Sequence, residues 1–161
     1  GTLTISRWYL DDEMPNLHKA VASFEGKVDR WQIYKWSPPA LLRMDAGSAP
    51  AGTGAPEGNR VPQALQFRHT SIQTPETETT SHYWFCQARN FALDDEQMTE
   101  NIFQGVVEAF EEDRTMIEAQ QKIISQVPDR PMIPIGADSG LNQARWLIDR
   151  LIKAEAGQGD A

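Results

Sequence analysis

The feature that most constrains the fold is a helical pattern of unusual length in the C-terminal half of the chain. It begins at Asp94 or Asp95, where Gln97 follows Asp94 by three residues in a capping-box arrangement. It ends at Val127, because Pro128 disfavours helix in the residue before it. Roughly 30 residues at 1.5 Å each make a helix of about 45 Å. We expect such a helix to pack across a sheet.

Strand patterns precede this helix. They are rich in β-branched and aromatic residues and cover residues 2–10, 28–36, 40–45, 63–73 and 78–91. A turn at residues 74–77 joins the last two strands as an antiparallel hairpin. If that turn is symmetric, His69 and His82 become cross-strand neighbours.

A second helix is predicted after the long one. It starts at Asp138 or Ser139, repeats apolar residues at helical spacing and ends at Gly157. Strands first and helices second predict an α+β fold with the long helix against the sheet.

Residues 46–60 carry Gly, Ala and Pro and almost no large apolar side chain. This composition is typical of a flexible connection that adds nothing to a core. A domain linker is the alternative. We expect a long hairpin loop, since the strands on both sides belong to one sheet.

Charge and cysteine content exclude several classes of function. Fifteen basic and 23 acidic residues give a formal net charge of −8, and the basic residues are scattered. Nucleic acids and anionic membranes are therefore poor partners. The single cysteine, Cys86, excludes an intrachain disulfide and any cysteine-ligated cluster within these residues. The apolar runs are too short to span a bilayer, and a reducing cytoplasm is the expected location.

One acidic residue falls on the apolar face of the long helix. At about 100° per residue, Asp113 lies in the middle of the apolar stripe. Its neighbours one turn away on that face are Ala109, Phe110, Met116 and Ile117. A desolvated carboxylate costs several kcal/mol unless it is paired, protonated or bound to a metal.

Two interpretations of Asp113 stay open on the pattern alone. The first is a salt bridge to an arginine of the sheet, namely Arg43, Arg68 or Arg89. The second is a metal ligand, and a mononuclear non-haem iron site requires two histidines beside one carboxylate. The three histidines, at positions 18, 69 and 82, are not spaced to meet on one helix. For His69 and His82, hydrogen-bonding roles within strands are the simpler interpretation.

Two segments resemble a known family. Residues 75–98 (PETETTSHYWFCQARNFALDDEQM) and 111–121 (EEDRTMIEAQQ) are similar to the C-terminal region of the vanillate O-demethylase and dicamba monooxygenase group of Rieske-type non-haem iron aromatic oxygenases. The V-D-x-W-x4-W pattern at residues 28–36 and the segment at 137–155 also suit this group. The resemblance extends over residues 28–155.

The resemblance implies a catalytic domain of helix-grip (START or Bet v1-like) architecture. In the family a Rieske [2Fe–2S] domain and the segment with two iron histidines precede the position of Thr2. We therefore expect residues 1–161 to be the C-terminal part of the catalytic domain, truncated at the N-terminus. Asp113 corresponds to the carboxylate ligand of the mononuclear Fe(II), and no other catalytic residue is implied. Met44, Ser71 and Phe110 are the expected lining of the substrate pocket.

The implied activity of the intact enzyme is monooxygenation or O-demethylation of a methoxylated aromatic acid. It would use O2 and electrons from NAD(P)H, delivered by a reductase to a homotrimer. The chain alone is expected to bind no iron and to be inactive, because one carboxylate cannot replace the three-ligand set. The alternative is a free-standing helix-grip module that binds a small hydrophobic ligand and catalyses nothing.

Overall fold

The computed structural model describes residues 1–131, 133 and 135–158, and it confirms the α+β class. Five antiparallel strands form one sheet in the order β1-β2-β3-β4-β5. The strands are β1 (Leu3–Asp12), β2 (Val28–Ser37), β3 (Leu41–Pro50), β4 (Leu65–Pro75) and β5 (Ser81–Arg89). The helices are α1 (Asn16–Lys19), α2 (Glu96–Gln126) and α3 (Ser139–Gln158), with a short 3-10 turn at Gly136–Asp138.

The chain divides into two compact units. The first contains Gly1–Phe91 and α3, and the second is Ala92–Gly136, which contains α2. Among the described residues, no helix has both the length and the apolar character needed to cross a membrane.

The pairing register assigns side chains to two faces of the sheet. One row crosses all five strands, through Ile5, Tyr34, Met44, His69 and Gln87. We call the side of the sheet that bears this row the His69 face. The opposite side carries Trp8, Trp31 and Gly47, and we call it the Trp31 face.

The expectation that residues 46–60 stay outside the core is wrong. Residues 46–50 continue β3, and Gly47 and Ala49 are buried. Ala55 is fully buried in a cluster with Trp31, Ala49 and Ala64. Small side chains are required there because the Trp31 indole fills the volume. A Cβ on Gly47 would overlap that indole and the carbonyl oxygen of Leu65.

The predicted register of the last hairpin is also wrong. The connection is residues 76–80, where the backbone N–H groups of Glu76 and Thr77 donate to the Thr80 carbonyl at 3.0 and 3.2 Å. The turn is therefore centred later than residues 74–77. His69 pairs with Gln87, and His82 pairs with Thr74. The two histidines lie on opposite faces, because alternate residues of a strand point to opposite sides.

The boundaries of α2 agree with the prediction. Asp95 is the N-cap and accepts a hydrogen bond from the Met98 backbone N–H at 2.8 Å, which selects the second of the two predicted starts. The helix ends at Gln126, with Val127 as the C-cap before Pro128. The predicted end of α3 is wrong. The helix continues to Gln158, because Gly157 does not adopt the positive φ that terminates helices.

Candidate substrate-binding face and iron ligand

His69 lies at the centre of the polar row on the His69 face. The residue is 7% exposed, and its ring stacks on Phe85 with ring centroids 6.2 Å apart and 16° between the planes. Burial lowers the pKa of His69, and a hydrogen bond to the Gln87 side chain opposes this shift. The imidazole is therefore neutral at neutral pH, and one nitrogen donates while the other accepts.

Two of the three predicted pocket residues lie beside His69. Met44 is its direct cross-strand partner, and Ser71 is two residues further along β4 on the same face. Ser71 is fully buried, and its hydroxyl accepts a hydrogen bond from Gln73 Nε2 at 3.4 Å. Together with Phe85 they place sulfur, aromatic and hydroxyl groups on one surface. A flat aromatic molecule with polar substituents needs such a surface.

The third predicted pocket residue, Phe110, is a half-buried residue of α2 and belongs to the other unit. Sequence reasoning gave His69 only a structural role and missed its neighbours Phe85 and Gln87. The alternation of Phe67, His69 and Ser71 along β4 contains the signal, since it places all three on one face.

The sequence predicted a desolvated environment for Asp113. The structure does not show one. Asp113 is exposed, and α2 has no buried residue. The reason is that the second unit consists of this helix and its flanking loops, so no second layer within the unit covers its apolar side. Phe103, Met116, Ile117 and Ile123 are accordingly 50%, 71%, 63% and 59% exposed. The role of Asp113 as an iron ligand stays a prediction.

Two of the three arginines considered as partners of Asp113 have contacts within the first unit. Arg68 pairs with Asp45 at 2.5 Å, and Arg89 Nε donates to the Phe91 carbonyl at 2.9 Å. Within the described part of the chain, no three His, Cys, Asp or Glu side chains gather as metal ligands. These residues alone therefore do not fit a mononuclear iron ion, which needs at least three such groups.

A second cluster of functional groups lies where α1 meets the sheet. The Nδ1 atom of buried His18 is 2.6 Å from Ser48 Oγ, and the ring stacks on Phe67 at 5.8 Å. Burial, and secondarily the charge of Arg30, lowers the pKa of His18. A cavity of about 210 Å³ adjoins this histidine. Sequence reasoning missed the cluster because residues 11–27 have no periodicity.

Solved structures share this architecture. The fold matches dicamba monooxygenase bound to 3,6-dichlorosalicylic acid with a TM-score of 0.78 and 24% identity, over 97% of this chain and 45% of that chain. It also matches dicamba monooxygenase with non-haem iron and dicamba, with a TM-score of 0.70 and 24% identity, over 98% of this chain and 48% of that one. These matches show that the chain shares the fold of the matching part of dicamba monooxygenase.

Residues 1–154 match the family model described as the vanillate O-demethylase oxygenase C-terminal domain, and the chain belongs to this family. It is 81% identical over 157 residues to the iron–sulfur subunit of a toluene-4-sulfonate monooxygenase system from Comamonas testosteroni. The matched region covers 98% of this chain and 45% of the relative. It is also 34% identical over 169 residues to a vanillate O-demethylase oxygenase subunit from Pseudomonas sp. (strain HR199 / DSM 7063). The matched region covers 100% of this chain and 47% of that relative. The chain spans about half the length of these curated relatives.

Proposed function

We propose that this chain is the C-terminal part of the catalytic domain of a Rieske-type aromatic monooxygenase. The family match over residues 1–154 is the observation that carries the proposal. The 81% identity to the toluene-4-sulfonate monooxygenase subunit favours an aromatic sulfonate or carboxylate as substrate. Identity to the vanillate O-demethylase subunit is much lower, which makes vanillate a weaker candidate.

The His69 face is the proposed seat of the aromatic ring. Phe85 and the Met44 thioether offer apolar and polarisable contacts, and the neutral His69 imidazole offers a hydrogen bond. Ser71 is too deeply buried for a large contact area, so it would act by supporting this surface. Phe110 of α2 is proposed as a further lining residue.

Asp113 is proposed as one of the ligands of the mononuclear iron in the intact protein. The described residues do not complete the set, so the two histidines would come from a further segment. Ferrous iron held in this way would supply O2 activation in the intact protein, with electrons from NAD(P)H through a Rieske cluster and a reductase component. A homotrimer in the cytoplasm is part of the same proposal and is supported by the family resemblance.

A chimera provides the test. Residues 1–154 replace the corresponding segment of the toluene-4-sulfonate monooxygenase subunit, to which this chain is 81% identical over 157 residues. With O2 and the reductase component present, we expect the chimera to couple NADH oxidation to turnover of 4-toluenesulfonate. In the chimera, Asp113→Asn should lower the mononuclear iron content and the turnover by at least about tenfold, since loss of a ligand group removes much of the metal affinity. The visible spectrum of the Rieske cluster should not change.

The neighbouring exposed carboxylate of Glu112 provides the matched control. Glu112→Gln removes one negative charge from the same turn of α2 and should leave iron content and turnover intact. A chimera in which Asp113→Asn keeps both its iron and its turnover would refute the assignment of Asp113. A wild-type chimera that assembles its Rieske cluster and yet oxidises no aromatic acid would refute the proposed function.

A further inference from the structure

Gln87 lies directly opposite His69 in the β4–β5 ladder, and the two side chains form a hydrogen bond on the His69 face. His69 is buried there and Gln87 is half-buried. A hydrogen bond that is shielded from water is stronger than the same bond in solution. This contact can therefore decide which nitrogen of the neutral imidazole carries the proton.

The hydrogen bond runs from the imidazole to the amide oxygen of Gln87. A glutamine side chain can accept from a ring N–H or donate to a ring nitrogen that has no proton. The contact raises the pKa of His69, and this direction identifies the ring as the donor, because a bond donated by the ring favours its protonated form. One ring nitrogen therefore keeps its proton, and the other nitrogen of the neutral ring is an acceptor.

The neighbouring side chains of the sheet fix the plane of the ring. Phe85 stacks on His69 with 16° between the planes, and Met44 is its cross-strand partner on β3. Neither of these two side chains is charged or carries a hydrogen-bond donor. Arg89 is the charged residue that β5 places on this face, and its Nε donates to the Phe91 carbonyl at 2.9 Å. Among these neighbours, Gln87 is the one whose hydrogen bond distinguishes the two ring nitrogens.

We propose that Gln87 is a positioning residue that fixes the tautomer of His69, so that the second nitrogen of the neutral ring acts as an acceptor. The inference rests on the proposed function, in which the His69 face is the seat of the aromatic ring. A substituent that meets this nitrogen has to donate, because two acceptors cannot form a hydrogen bond without a proton between them. A ring hydroxyl meets this condition, whereas a sulfonate, a carboxylate or a methyl group does not. Gln87 thus determines specificity through His69.

15N NMR of the histidine rings in the 161-residue chain tests the tautomer. The chemical shift of each nitrogen in the neutral ring reports whether it carries the proton, and His69→Asn assigns the signals. We expect one tautomer of His69 to exceed the other at least about fivefold, the effect of one hydrogen bond. Gln87→Leu should change this ratio by a similar factor. It should also lower the pKa of His69 further, because the bond that opposes the effect of burial is lost.

Two further variants separate this role from packing. Gln87→Glu keeps an acceptor oxygen, so it should preserve the tautomer and raise the pKa of His69, since a nearby negative charge favours the protonated ring. Gln73→Leu is the matched control. Gln73 is also half-buried on the His69 face, but its amide donates to Ser71 at 3.4 Å. This variant should leave the tautomer ratio of His69 unchanged. Far-UV circular dichroism checks that each variant is folded.

Inhibition of 4-toluenesulfonate turnover in the chimera tests the effect on specificity. Benzenesulfonate and the three isomers of hydroxybenzenesulfonate differ by one hydroxyl group. We expect at least one isomer to bind about fivefold or more tightly than benzenesulfonate, because its hydroxyl donates to His69. Gln87→Leu should abolish this preference, and Gln73→Leu should keep it.

Three results would overturn the proposal. The first is a Gln87→Leu variant that keeps the wild-type tautomer ratio of His69. The second is a reversed tautomer in Gln87→Glu, which retains the acceptor oxygen. The third is a chimera in which no isomer binds more tightly than benzenesulfonate, or in which the preference survives Gln87→Leu. A chimera that turns over no substrate refutes the proposed function instead, and the NMR measurements on the 161-residue chain then decide the role of Gln87.

Discussion

Trp31 and Gly47 lie directly opposite each other in the β2–β3 ladder, and the indole occupies the space that a Cβ on residue 47 would need. Gly47→Ala should therefore lower the free energy of unfolding by about 1–3 kcal/mol, the usual cost of overpacking a core. The backbone carbonyl of Leu65 on the same side prevents an easy adjustment. Urea denaturation followed by tryptophan fluorescence measures the loss.

Gly105→Ala is the control for this substitution. Residue 105 lies within α2, and a Cβ there would meet no atom within 4 Å. Alanine should stabilise the helix by about 0.5–1 kcal/mol, because it loses less backbone entropy than glycine. Equal effects of the two substitutions would show that the close packing of Trp31 on Gly47 is not the cause.

The side chain of Asp29 in β2 links β1 to the loop that follows β3. This buried carboxylate accepts hydrogen bonds from the backbone N–H of Asp11 at 3.1 Å and of Gly52 at 2.9 Å. Asp29→Ala leaves both donors without their partner and should cost about 2–4 kcal/mol. Asp29→Asn keeps one acceptor oxygen and should cost clearly less in the same urea titration. An alanine variant within 0.5 kcal/mol of wild type would contradict this role.

Stability should fall as the solution becomes acidic. Burial lowers the pKa of His18 and of His69 from their ordinary value of 6.5, so the unfolded chain binds more protons than the folded chain just below that pH. The contribution is fully present above 6.5 and is lost as the pH falls from that value through the lower pKa of the folded state. Each histidine can change the unfolding free energy by at most about 1.4 kcal/mol per pH unit.

Unfolding titrations between pH 8 and pH 5 measure this slope. His18→Gln should reduce this slope, because it removes one of the two groups whose pKa burial lowers. A slope unaffected by His18→Gln would show that His18 gains its proton as readily in the folded state as in the unfolded one.

The start of α2 depends on Asp95. Its carboxylate caps the Met98 N–H, and Asp95→Ala should cost the helix about 0.5–2 kcal/mol. Circular dichroism at 222 nm during thermal unfolding detects this loss. Asp95→Ser retains a capping oxygen and should restore most of the signal. Asp94→Ala is the control: a larger effect there would move the cap to the alternative start of the helix.

Ferrous iron should have little effect on the melting temperature of the chain by itself. Tight binding to the folded state would raise stability by mass action, and the described residues contain no group of three metal ligands. Anaerobic melting scans with increasing Fe(II) provide the measurement, and Asp113→Asn shows whether any shift depends on that carboxylate. A large saturable shift would mean that further ligands lie close to Asp113.

The elements of this fold were predictable where local chemistry decides them. The end of α2 before Pro128 and its cap at Asp95 follow from backbone geometry and from the hydrogen-bonding capacity of single residues. The strand patterns of β1 and β2 were visible in their β-branched and aromatic residues. Residues 46–50 were misassigned because glycine and alanine favour loops in general, whereas here they make room for Trp31.

The site residues also divide into those that the sequence predicted and those that it did not. Met44 and Ser71 were predicted from the family resemblance, and the register places them on one face beside His69. The pairing of His69 with Gln87 depends on a turn whose centre the sequence did not reveal. The cavity beside His18 is lined by residues of α1 and of four strands, β1 to β4, and no spacing along the chain indicates it.

The sequence by itself determined most of the strands, the two long helices, the family, and the apolar stripe on which Asp113 lies, because these depend on neighbouring residues and on periodicity. Tertiary structure alone decided which side chains face each other and which lose water. Register and burial depend on contacts between residues far apart in the chain, as Trp31 and Gly47 show. The exposure of Asp113 has the same origin, since an apolar stripe is buried only when another layer covers it.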